Sequence, residues 1–440
     1  MREMKDSGIE WIGQIPQAWK VVRVKHLATQ KDSLFLDGDW INSDVITTEG
    51  IRYLTSGNVG EGAYKEQGNG HISEETFEKL NCLKSFPGDL MISRLNEPVG
   101  RCCIIPEGHP FYVVAVDNVI LRPDDGYNKK FIMYCMNTHG YAHAALMAAS
   151  GTTMVRISRT SLGNLTIPVA SVEEQERIAA YLDKKCAEID ALIAAKEKTN
   201  ALLKEQRQSI IYEAVTKGLN PDAPMKDSGI EWIGQIPENW GMLRLRFLGT
   251  FQNGISKAGE FFGSGYPFVS YGDVYKNEVL PTVPSGLVES TESERELYSV
   301  EKGDVFFTRT SETKEEIGIV AVCKETIPDA TFAGFLIRMR PTTDVVTTDF
   351  LRYYFSCGLQ REYFSKEMTL VTRASLGQDL LKNMVVTIPS AEEQKAIVNH
   401  LDEQTQAIDS IIANNDISIQ KLKEYRQSII YEAVTGKIEV

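Results

Sequence analysis

The sequence predicts an α+β protein built as an internal duplication, with two globular α/β domains and a pair of long helices. Three observations predict this class. Blocks of identical sequence recur about half a chain apart, a stretch of roughly 45 residues without Pro or Gly closes each half, and the regions between the repeated blocks alternate short apolar runs with turn residues.

Size and composition restrict the class further. The 440 residues suggest two to four domains at roughly 150 residues each, and 42% hydrophobic with 24% charged residues is typical of globular proteins. We find no apolar run near the roughly 18 residues of a membrane span, and the polar N-terminus does not resemble a signal peptide. Because the seven Cys include no Cys-x-x-Cys pair, we expect neither disulfides nor a zinc site, and a cytoplasmic location.

The duplication consists of a repeated frame and two different inserts. The segment MKDSGIEWIGQIP occurs at 4–16 and 225–237, and RQSIIYEAVT occurs at 207–216 and 426–435. The regions between them, 20–165 and 241–386, have similar lengths but little identity. One frame with two unlike inserts predicts that the protein recognises two different targets. We divide the chain into globular regions 1–165 and 220–386 and helical regions 166–219 and 387–440.

Each helical region predicts one long helix. Ser171 and Ser390 are each followed three residues later by Glu, the signature of a capping box. About 45 residues at 1.5 Å each make a rod of roughly 68 Å, a length typical of coiled coils. A shared heptad register places Ile178, Leu192, Ile397 and Ile411 at the d position. The predicted a positions of the coiled-coil seam are Leu182, Ile189, Lys196, Leu203, Ile210, Leu401, Ile408, Asn415, Leu422 and Ile429.

The seam is polar at its centre in both copies. If the helices pack antiparallel, Lys196 and Asn415 meet at the middle of the rod, and a buried polar layer there would fix the register of the pair. The alternative is that both side chains are solvated on an imperfect seam.

The negative net charge argues against nucleic-acid binding by this chain alone. The net charge is −13, whereas proteins that wrap nucleic acid are usually basic. The inserts, however, carry 15 basic against 16 acidic residues and 16 against 19, so most of the negative charge lies in the frame. Near-neutral inserts can still present basic faces.

We find no catalytic motif. The sequence has no P-loop, no Gly-x-Gly-x-x-Gly, no Gly-x-Ser-x-Gly and no Asn-Pro-Pro-Tyr or Asp-Pro-Pro-Tyr segment. His139 and His143 share a helical face but have no third ligand nearby, so no metal site is expected. Asp304 followed by Glu312 and Lys314 outlines an Mg²⁺-dependent nuclease triad, but this spacing arises easily by chance in a charged chain. We therefore expect that the chain is not an enzyme.

The frame resembles a known family. Two modules of about 150 residues, each preceded by MKDSGIEWIGQIP and followed by Ile-Pro, Glu-Glu-Gln and a helix ending in RQSIIYEAVT, are similar to the specificity subunit of type I restriction–modification enzymes. The resemblance covers the whole chain and is strong in the frame and weak in the inserts. It implies two target-recognition domains separated by a pair of long antiparallel coiled-coil helices with a pseudo-two-fold internal duplication.

The resemblance also implies a function and partners. The chain would be the non-catalytic DNA sequence-recognition subunit, in which each domain reads one half of a bipartite site and the helix pair sets the spacer. The partners would be double-stranded DNA, two methyltransferase (modification) subunits and restriction/translocase subunits. These partners, and not this chain, would hold S-adenosylmethionine, ATP and Mg²⁺. They would also supply much of the charge that contacts phosphates, which answers the acidic balance of the chain.

Polar loop residues at matched places in the two modules are the candidates for DNA contact, because Arg, Lys, Asn and Gln read base edges and Ser, Thr and aromatic groups add contacts. For each candidate the alternative is a turn or surface residue without a DNA contact. The candidates are Ser56, Asn58, Arg94, Thr152, Thr153 and Arg156 in the first module, and Tyr271, Asp273, Arg309, Thr372 and Arg373 in the second.

Two repeated features of the frame receive structural or docking interpretations. The repeated Trp11, Trp19, Trp232 and Trp240 are expected to pack where each module meets its helix. The repeated block RQSIIYEAVT predicts two identical docking sites for two methyltransferase subunits, unless its identity reflects recent duplication alone.

Three other functions remain open at this stage. The first is a stand-alone sequence-specific DNA-binding regulator, the second is the nuclease outlined above, and the third is a protein–protein scaffold, which the acidic balance permits.

Overall fold

The chain forms two compact units in the computed structural model, which describes residues 2–95, 98–151, 154–311, 317–359, 363–364 and 374–440. Unit 1 comprises Met1–Lys196 and Ile417–Val440, and unit 2 comprises Glu197–Asp416. Each long helix is therefore shared between the units, whereas the sequence-based division kept the helices as separate regions.

Both units are built around a four-stranded antiparallel sheet with the same strand order. In unit 1 the order is Leu34–Asp37, Asn118–Arg122, Leu90–Ser93 and Cys102–Ile104. In unit 2 it is Gly249–Asn253, Leu336–Pro341, Val305–Thr308 and Val320–Val322. Their central strands are buried, which explains the continuous apolar runs of the inserts.

A three-stranded sheet accompanies each four-stranded sheet and contains one parallel pair. Its strands are His71–Ile72, Ile51–Leu54 and Val113–Val114 in unit 1, and Gly286–Val288, Phe262–Val269 and Thr331–Phe332 in unit 2. Unit 2 also pairs Thr310–Ser311 with Ala374–Ser375. The two inserts thus share a topology although their sequences differ.

The repeated lead-in forms the same two small elements in both units. A hairpin pairs Met4–Asp6 with Gln14–Pro16, and its copy pairs Met225–Asp227 with Gln235–Pro237. The next strand then pairs with the end of the insert. These strands are Lys20–Arg23 with Thr166–Val169, and Gly241–Arg244 with Val385–Ile388.

Short helices complete the modules. They are Glu74–Leu80, Lys129–Met136, His139–Met147 and Arg159–Asn164 in unit 1, and Tyr271–Lys276, Glu292–Leu297, Thr348–Ser356 and Gln378–Asn383 in unit 2. Single 3₁₀ turns occur at Val24–Leu27, Ser43–Val45, Ser56–Asn58, Leu245–Phe247 and Gly259–Phe261.

The two predicted long helices are confirmed. They span Val172–Lys217 and Ala391–Val434, with 46 and 44 residues. At each start the Ser hydroxyl accepts from the backbone N–H of the Glu three residues later, at 3.3 Å in both copies, as the capping box predicts. Gly218 and Gly436 follow the helix ends with positive φ angles of 76° and 69°, which glycine adopts at little cost.

The long helices pack antiparallel within each unit. In unit 2, Asn200 donates to Asp416 at 2.8 Å, and further along the helix Arg207 pairs with the earlier residue Asp409 at 3.2 Å. In unit 1, Asp190 pairs with Arg426 at 2.9 Å. Earlier on the same helix, Glu174 is bridged through Arg2 to Glu439, near the end of the chain.

The predicted seam is only partly a helix–helix seam. Leu182, Ile189, Leu401, Ile408 and Ile429 are buried, but most of them lie in module cores together with strand and insert residues. The other predicted a positions are half-buried: Lys196, Leu203, Ile210, Asn415 and Leu422. The apolar face of each helix therefore closes a module and packs against the other helix within the same core.

Of the four predicted d positions, Ile178 and Ile397 are buried in the module cores, and the other two are wrong. Leu192 and Ile411 are 54% and 48% exposed. An α-helix drifts by about 20° per heptad relative to a strict seven-residue repeat, so a seam that starts at the module core turns away from it along the helix.

The polar contact at the middle of the helices includes a residue that heptad counting did not select. Asn415 donates to Asn200 at 2.9 Å, and the buried Asn200 in turn donates to Asp416. The meeting of Lys196 with Asn415 stays a prediction.

The Trp prediction is confirmed for the pair that follows the hairpins. Trp19 and Trp240 are buried, and their indole N–H groups donate to Glu174 and Glu393 at 2.9 and 3.3 Å. The side chain thus fastens each lead-in to the start of a long helix.

None of the helices in the described part of the chain combines the length and the apolar character of a membrane span.

Candidate nucleic-acid interface

Several of the predicted loops of unit 1 converge at one end of its four-stranded sheet. Arg94 follows the central strand Leu90–Ser93; its backbone N–H donates to Asp117, and its carbonyl accepts from Ile157. The neighbouring Leu95 forms a β-bridge with Arg156. The backbones of Arg94 and Arg156 are therefore brought together although they are far apart in sequence.

Arg101 joins the Ser56 turn to the same edge. Its guanidinium donates to the carbonyl oxygens of Ser56 at 3.1 Å, Val59 at 2.8 Å and Leu95 at 3.0 Å. The structure thus places Ser56, Arg94 and Arg156 on one connected group of loops. Thr152 and Thr153 lie outside the described residues.

The arginines at this edge differ in exposure. Arg94 is only 7% exposed and pairs with Asp37 at 2.9 Å; burial lowers the pKa of its guanidinium, and Asp37 partly opposes that shift. The side chain of Arg156 is 46% exposed and pairs with Asp117 at 2.9 Å. Sequence reasoning missed Arg159, which is 39% exposed and lies 3.4 Å from the second oxygen of Asp37.

Two predicted candidates are turn residues whose side chains point inward. Asn58 is buried; its amide oxygen accepts from the N–H of Thr55 at 2.9 Å, and its amide nitrogen donates to Lys65 and Gln67 at 2.9 Å each. Its equivalent in unit 2, Asp273, is also buried and closes a capping box with Ser270. These contacts use the groups that base reading would need, so the geometry does not favour either residue as a DNA reader.

Unit 2 repeats this arrangement of backbone hydrogen bonds around Arg309. Arg309 donates from its backbone to Phe335 at 2.9 Å and accepts from Leu376 at 2.7 Å, which repeats the pattern of Arg94. Tyr271 stacks on the exposed Tyr275, with ring centroids 5.8 Å apart. Thr372 and Arg373 lie outside the described residues.

The chemistry of the two edges differs where their backbones match. Asp37 is paired with Val119 in the first sheet, and Asn253 is paired with Ile337 at the same place in the second. By the same comparison, the exposed Phe335 stands where unit 1 has Asp117. One fold therefore presents a charged edge in unit 1 and an amide and aromatic edge in unit 2.

The nuclease outline is not supported at its first residue. Asp304 is buried and both of its oxygens accept from Arg340 at 2.7 Å; burial raises the pKa of its carboxyl, and Arg340 opposes that shift. The same pair recurs in unit 1 as Asp89 with Arg122, which indicates a structural role in both modules. Glu312 and Lys314 lie outside the described residues.

Metal binding finds no support elsewhere in the described part of the chain. His139 and His143 are exposed on the helix His139–Met147, and no group of three or more His, Cys, Asp or Glu among the described residues could hold a metal ion.

A frame with two chemically different edges defines a duplicated recognition protein. Comparison with known families agrees: the model described as the type I restriction modification DNA specificity domain matches residues 16–204 and 237–421. The chain belongs to this family, and the two matched regions fall on the two repeats.

Individual relatives are distant in sequence but long in coverage. The chain is 24% identical to the putative type I restriction enzyme MjaX specificity subunit of Methanocaldococcus jannaschii, over 98% of this chain and 96% of that one. It is 25% identical to the EcoKI specificity subunit of Escherichia coli, over 72% and 68% of the two chains.

Solved structures share the fold. A chain from a structure describing complex assembly and conformational transition of the type I R-M system matches with a TM-score of 0.73 at 16% identity, covering 96% of this chain and 99% of that one. The HsdS subunit from Thermoanaerobacter tengcongensis matches with a TM-score of 0.52, also at 16% identity, covering 96% and 98%.

Proposed function

We infer that the chain is the DNA sequence-recognition subunit of a type I restriction–modification system and is itself non-catalytic. The observation that carries this function is the pairing of one repeated frame, matched twice by the family, with two unlike loop edges. A stand-alone DNA-binding regulator could also use two recognition modules, but that function does not explain the family match.

We further propose that unit 1 and unit 2 each read one half of a bipartite site. Two modules with the same backbone but different edge chemistry suit an asymmetric pair of half-sites, because each edge offers its own donors and acceptors to base edges. The unread spacer then reflects the length of the helix pair, since the separation of half-sites must match protein geometry.

Exchange of inserts tests the half-site proposal. Residues 241–386 are replaced by a second copy of 20–165, and the chain is expressed with its methyltransferase so that methylated adenines can be mapped across a genome. We expect the half-site of unit 2 to disappear and that of unit 1 to appear twice. A motif unrelated to the parent site would contradict independent reading by the two units.

Insertion of one heptad tests the role of the helices. Because each unit contains parts of both long helices, seven residues are inserted in both, after Lys196 and after Asp416. The added length is about 10 Å, or roughly three base pairs, so the spacer should lengthen while both half-sites stay unchanged. The same insertion in one helix alone should also lengthen the spacer while both half-sites stay unchanged. A changed half-site would refute the ruler.

Two methyltransferase subunits are the proposed partners on the helices, with restriction/translocase subunits added to the complex. The repeated block RQSIIYEAVT explains docking less well than expected, because Ile211, Ala214, Val215 and their equivalents are buried in the module cores. Leu192 and Ile411 are better candidates: they occupy equivalent positions, one in each unit, and both are large, apolar and exposed.

Charge substitution at these positions tests docking. Leu192→Asp and Ile411→Asp should each remove one of two methyltransferases, as measured by native mass spectrometry, and the double variant should remove both. Glu197→Asp, at an exposed position on the helix that carries Leu192, is the control. Retention of both partners by the double variant would place docking elsewhere.

In this proposal S-adenosylmethionine, ATP and Mg²⁺ belong to the partner subunits, and the complex acts on double-stranded DNA in the cytoplasm. The free state of all seven cysteines suits such a reducing compartment.

A further inference from the structure

The loop edge of unit 1 carries an inference about which base this unit reads. Three guanidinium groups, from Arg94, Arg156 and Arg159, face the two carboxylates of Asp37 and Asp117. We call these five residues the arginine edge. It has one positive charge in excess and lies where the loops of unit 1 meet.

The members of the arginine edge have different tasks. Arg94 is buried, its side chain pairs with Asp37 and also donates to the carbonyl of Val116 at 3.1 Å. It therefore holds the edge together from inside. Arg156 and Arg159 reach solvent, and so they are the members that a duplex could contact.

Arg156 is held at both its backbone and its side chain. Its backbone N–H and carbonyl exchange hydrogen bonds of 2.9 Å with Ser150, which fixes the backbone at Arg156. Its Nη2 lies 2.9 Å from Asp117, the one partner of this guanidinium among the described residues. A guanidinium has five N–H donors, so this contact leaves donors of the planar fork available to a ligand. A side chain positioned before binding loses less freedom on contact.

The carboxylate beside Arg156 favours a base over a phosphate as that ligand. Asp117 is 32% exposed and would repel a phosphate that approached the same place. Towards a base pair its charge is useful, because a carboxylate accepts from the amino group of cytosine while Arg binds O6 and N7 of guanine. An Arg–Asp pair therefore complements the major-groove edge of one G·C pair.

We propose that Arg156 reads the guanine of one G·C pair in the half-site of unit 1, while Asp117 orients Arg156 and accepts from the paired cytosine. This inference rests on the proposed function. Unit 2 has Phe335 in place of Asp117, so its half-site is read by other chemistry.

The test compares Arg156→Lys, Arg156→Gln and Asp117→Asn in the complex with methyltransferase. Binding is measured against a library in which each position of both half-sites is varied, and methylation is mapped in parallel. Arg156→Lys keeps the charge but loses the fork, so discrimination at one guanine of the unit 1 half-site should fall on the order of 10- to 100-fold. Arg156→Gln should shift that position towards adenine, and Asp117→Asn should relax the same position by less.

The unit 2 half-site and the thermal midpoint should not change in any variant. Arg177→Lys, an exposed Arg on the first long helix, is the matched control. Uniform weakening on all sequences, with a salt slope smaller by about one, would show a phosphate contact and overturn the proposal. Unchanged specificity would reduce the pair to a surface ion pair and also overturn it. Both results leave the proposed function standing, which fails instead if the unaltered complex methylates no bipartite site.

Discussion

The third residue of the Glu-Glu-Gln triplet should be the strongest single stabiliser of each frame. Gln175 is buried; its amide oxygen accepts from the N–H of Asn128 at 2.9 Å, and its amide nitrogen donates to the carbonyl of Ala170 at 2.9 Å. Asn128 is the N-cap of the helix Lys129–Met136. One side chain thus joins the long helix, the strand before it and a helix of the insert.

The cost of Gln175→Ala follows from these contacts. The substitution leaves one buried N–H and one buried carbonyl without partners, and each such group costs about 1–3 kcal/mol. We therefore expect the free energy of unfolding of unit 1 to fall by about 2–6 kcal/mol. In unit 2 Gln394 makes the equivalent contacts, with Thr347 at 2.8 Å, Pro389 at 3.0 Å and Val345 at 2.9 Å. The third contact of Gln175, to the carbonyl of Gly126, is longer at 3.5 Å, so Gln394→Ala should cost as much or more.

Hydrogen exchange followed by mass spectrometry measures the protection of each unit separately. Gln175→Ala should lower protection in peptides covering 126–136, and Gln394→Ala in those covering 345–355, each without changing the other unit. Glu173→Ala and Glu392→Ala, at the exposed first residue of the triplet, are the controls and should cost within about 0.5 kcal/mol. A loss below about 0.5 kcal/mol for either Gln variant, or equal loss of protection in both units, would refute the reasoning.

Three further changes have expected outcomes. Gly436→Ala should destabilise unit 1 by about 2 kcal/mol or more, because φ is positive there and the added Cβ would lie 2.5 Å from a proline ring. At Gly218, φ is also positive, but the added Cβ would lie 3.2 Å from its nearest neighbour atom, so Gly218→Ala should cost about 1 kcal/mol. Burial raises the pKa of Glu393, but its hydrogen bonds outweigh burial and hold the pKa below the usual value of 4.5. The ionised carboxylate therefore stabilises the folded chain, and this contribution should be lost as pH falls below about 4.5. Glu393→Gln should remove that pH dependence. Asn200→Leu should cost unit 2 about 1–2 kcal/mol, because it removes the hydrogen bonds of Asn200 with Asp416 and Asn415.

Urea denaturation checks all three, with one control for each. Gly259→Ala has no positive φ and nothing within 4 Å of the added Cβ, so it should be neutral. Glu392→Gln should keep the acid sensitivity of the parent. Gln420→Leu, exposed on the same helix as Asp416, should leave stability unchanged. If Gly218→Ala cost more than Gly436→Ala, the steric account of the helix ends would be wrong.

The frame could be predicted from the sequence because its signals are local. The capping boxes at Ser171 and Ser390 and the absence of Pro and Gly after them define helix starts and lengths, and both follow from backbone chemistry within one turn. The duplication then predicted two similar modules. Heptad counting failed at Leu192 and Ile411 because it records which positions are apolar, and not which side of the helix a module covers.

The recognition surface could be predicted only in part, since its partners are distant in sequence. A Thr-x-x-Asn turn suits both a capping box and a base reader, so Asn58 was chosen although its amide is used inside the turn. Arg159 was missed because nothing near it in sequence marks the carboxylate of Asp37, which reaches it only through the fold. Arg94 and Arg156 are both candidates because each has a matched place in the other module, yet their opposite exposure depends on strand packing.

The identity of the repeated blocks follows from how the units are closed. In unit 2 the end of the first long helix packs on the lead-in that follows it directly, and Gly218 lies against Trp240. In unit 1 the same contact joins Gly436, near the end of the chain, to Trp19. Both contacts, like the Trp–Glu hydrogen bonds, use frame residues, and Gln175 reaches the insert through a backbone group, the N–H of Asn128. An insert can therefore change every base-reading side chain while the frame keeps its fit, and this separation allows one fold to carry two specificities.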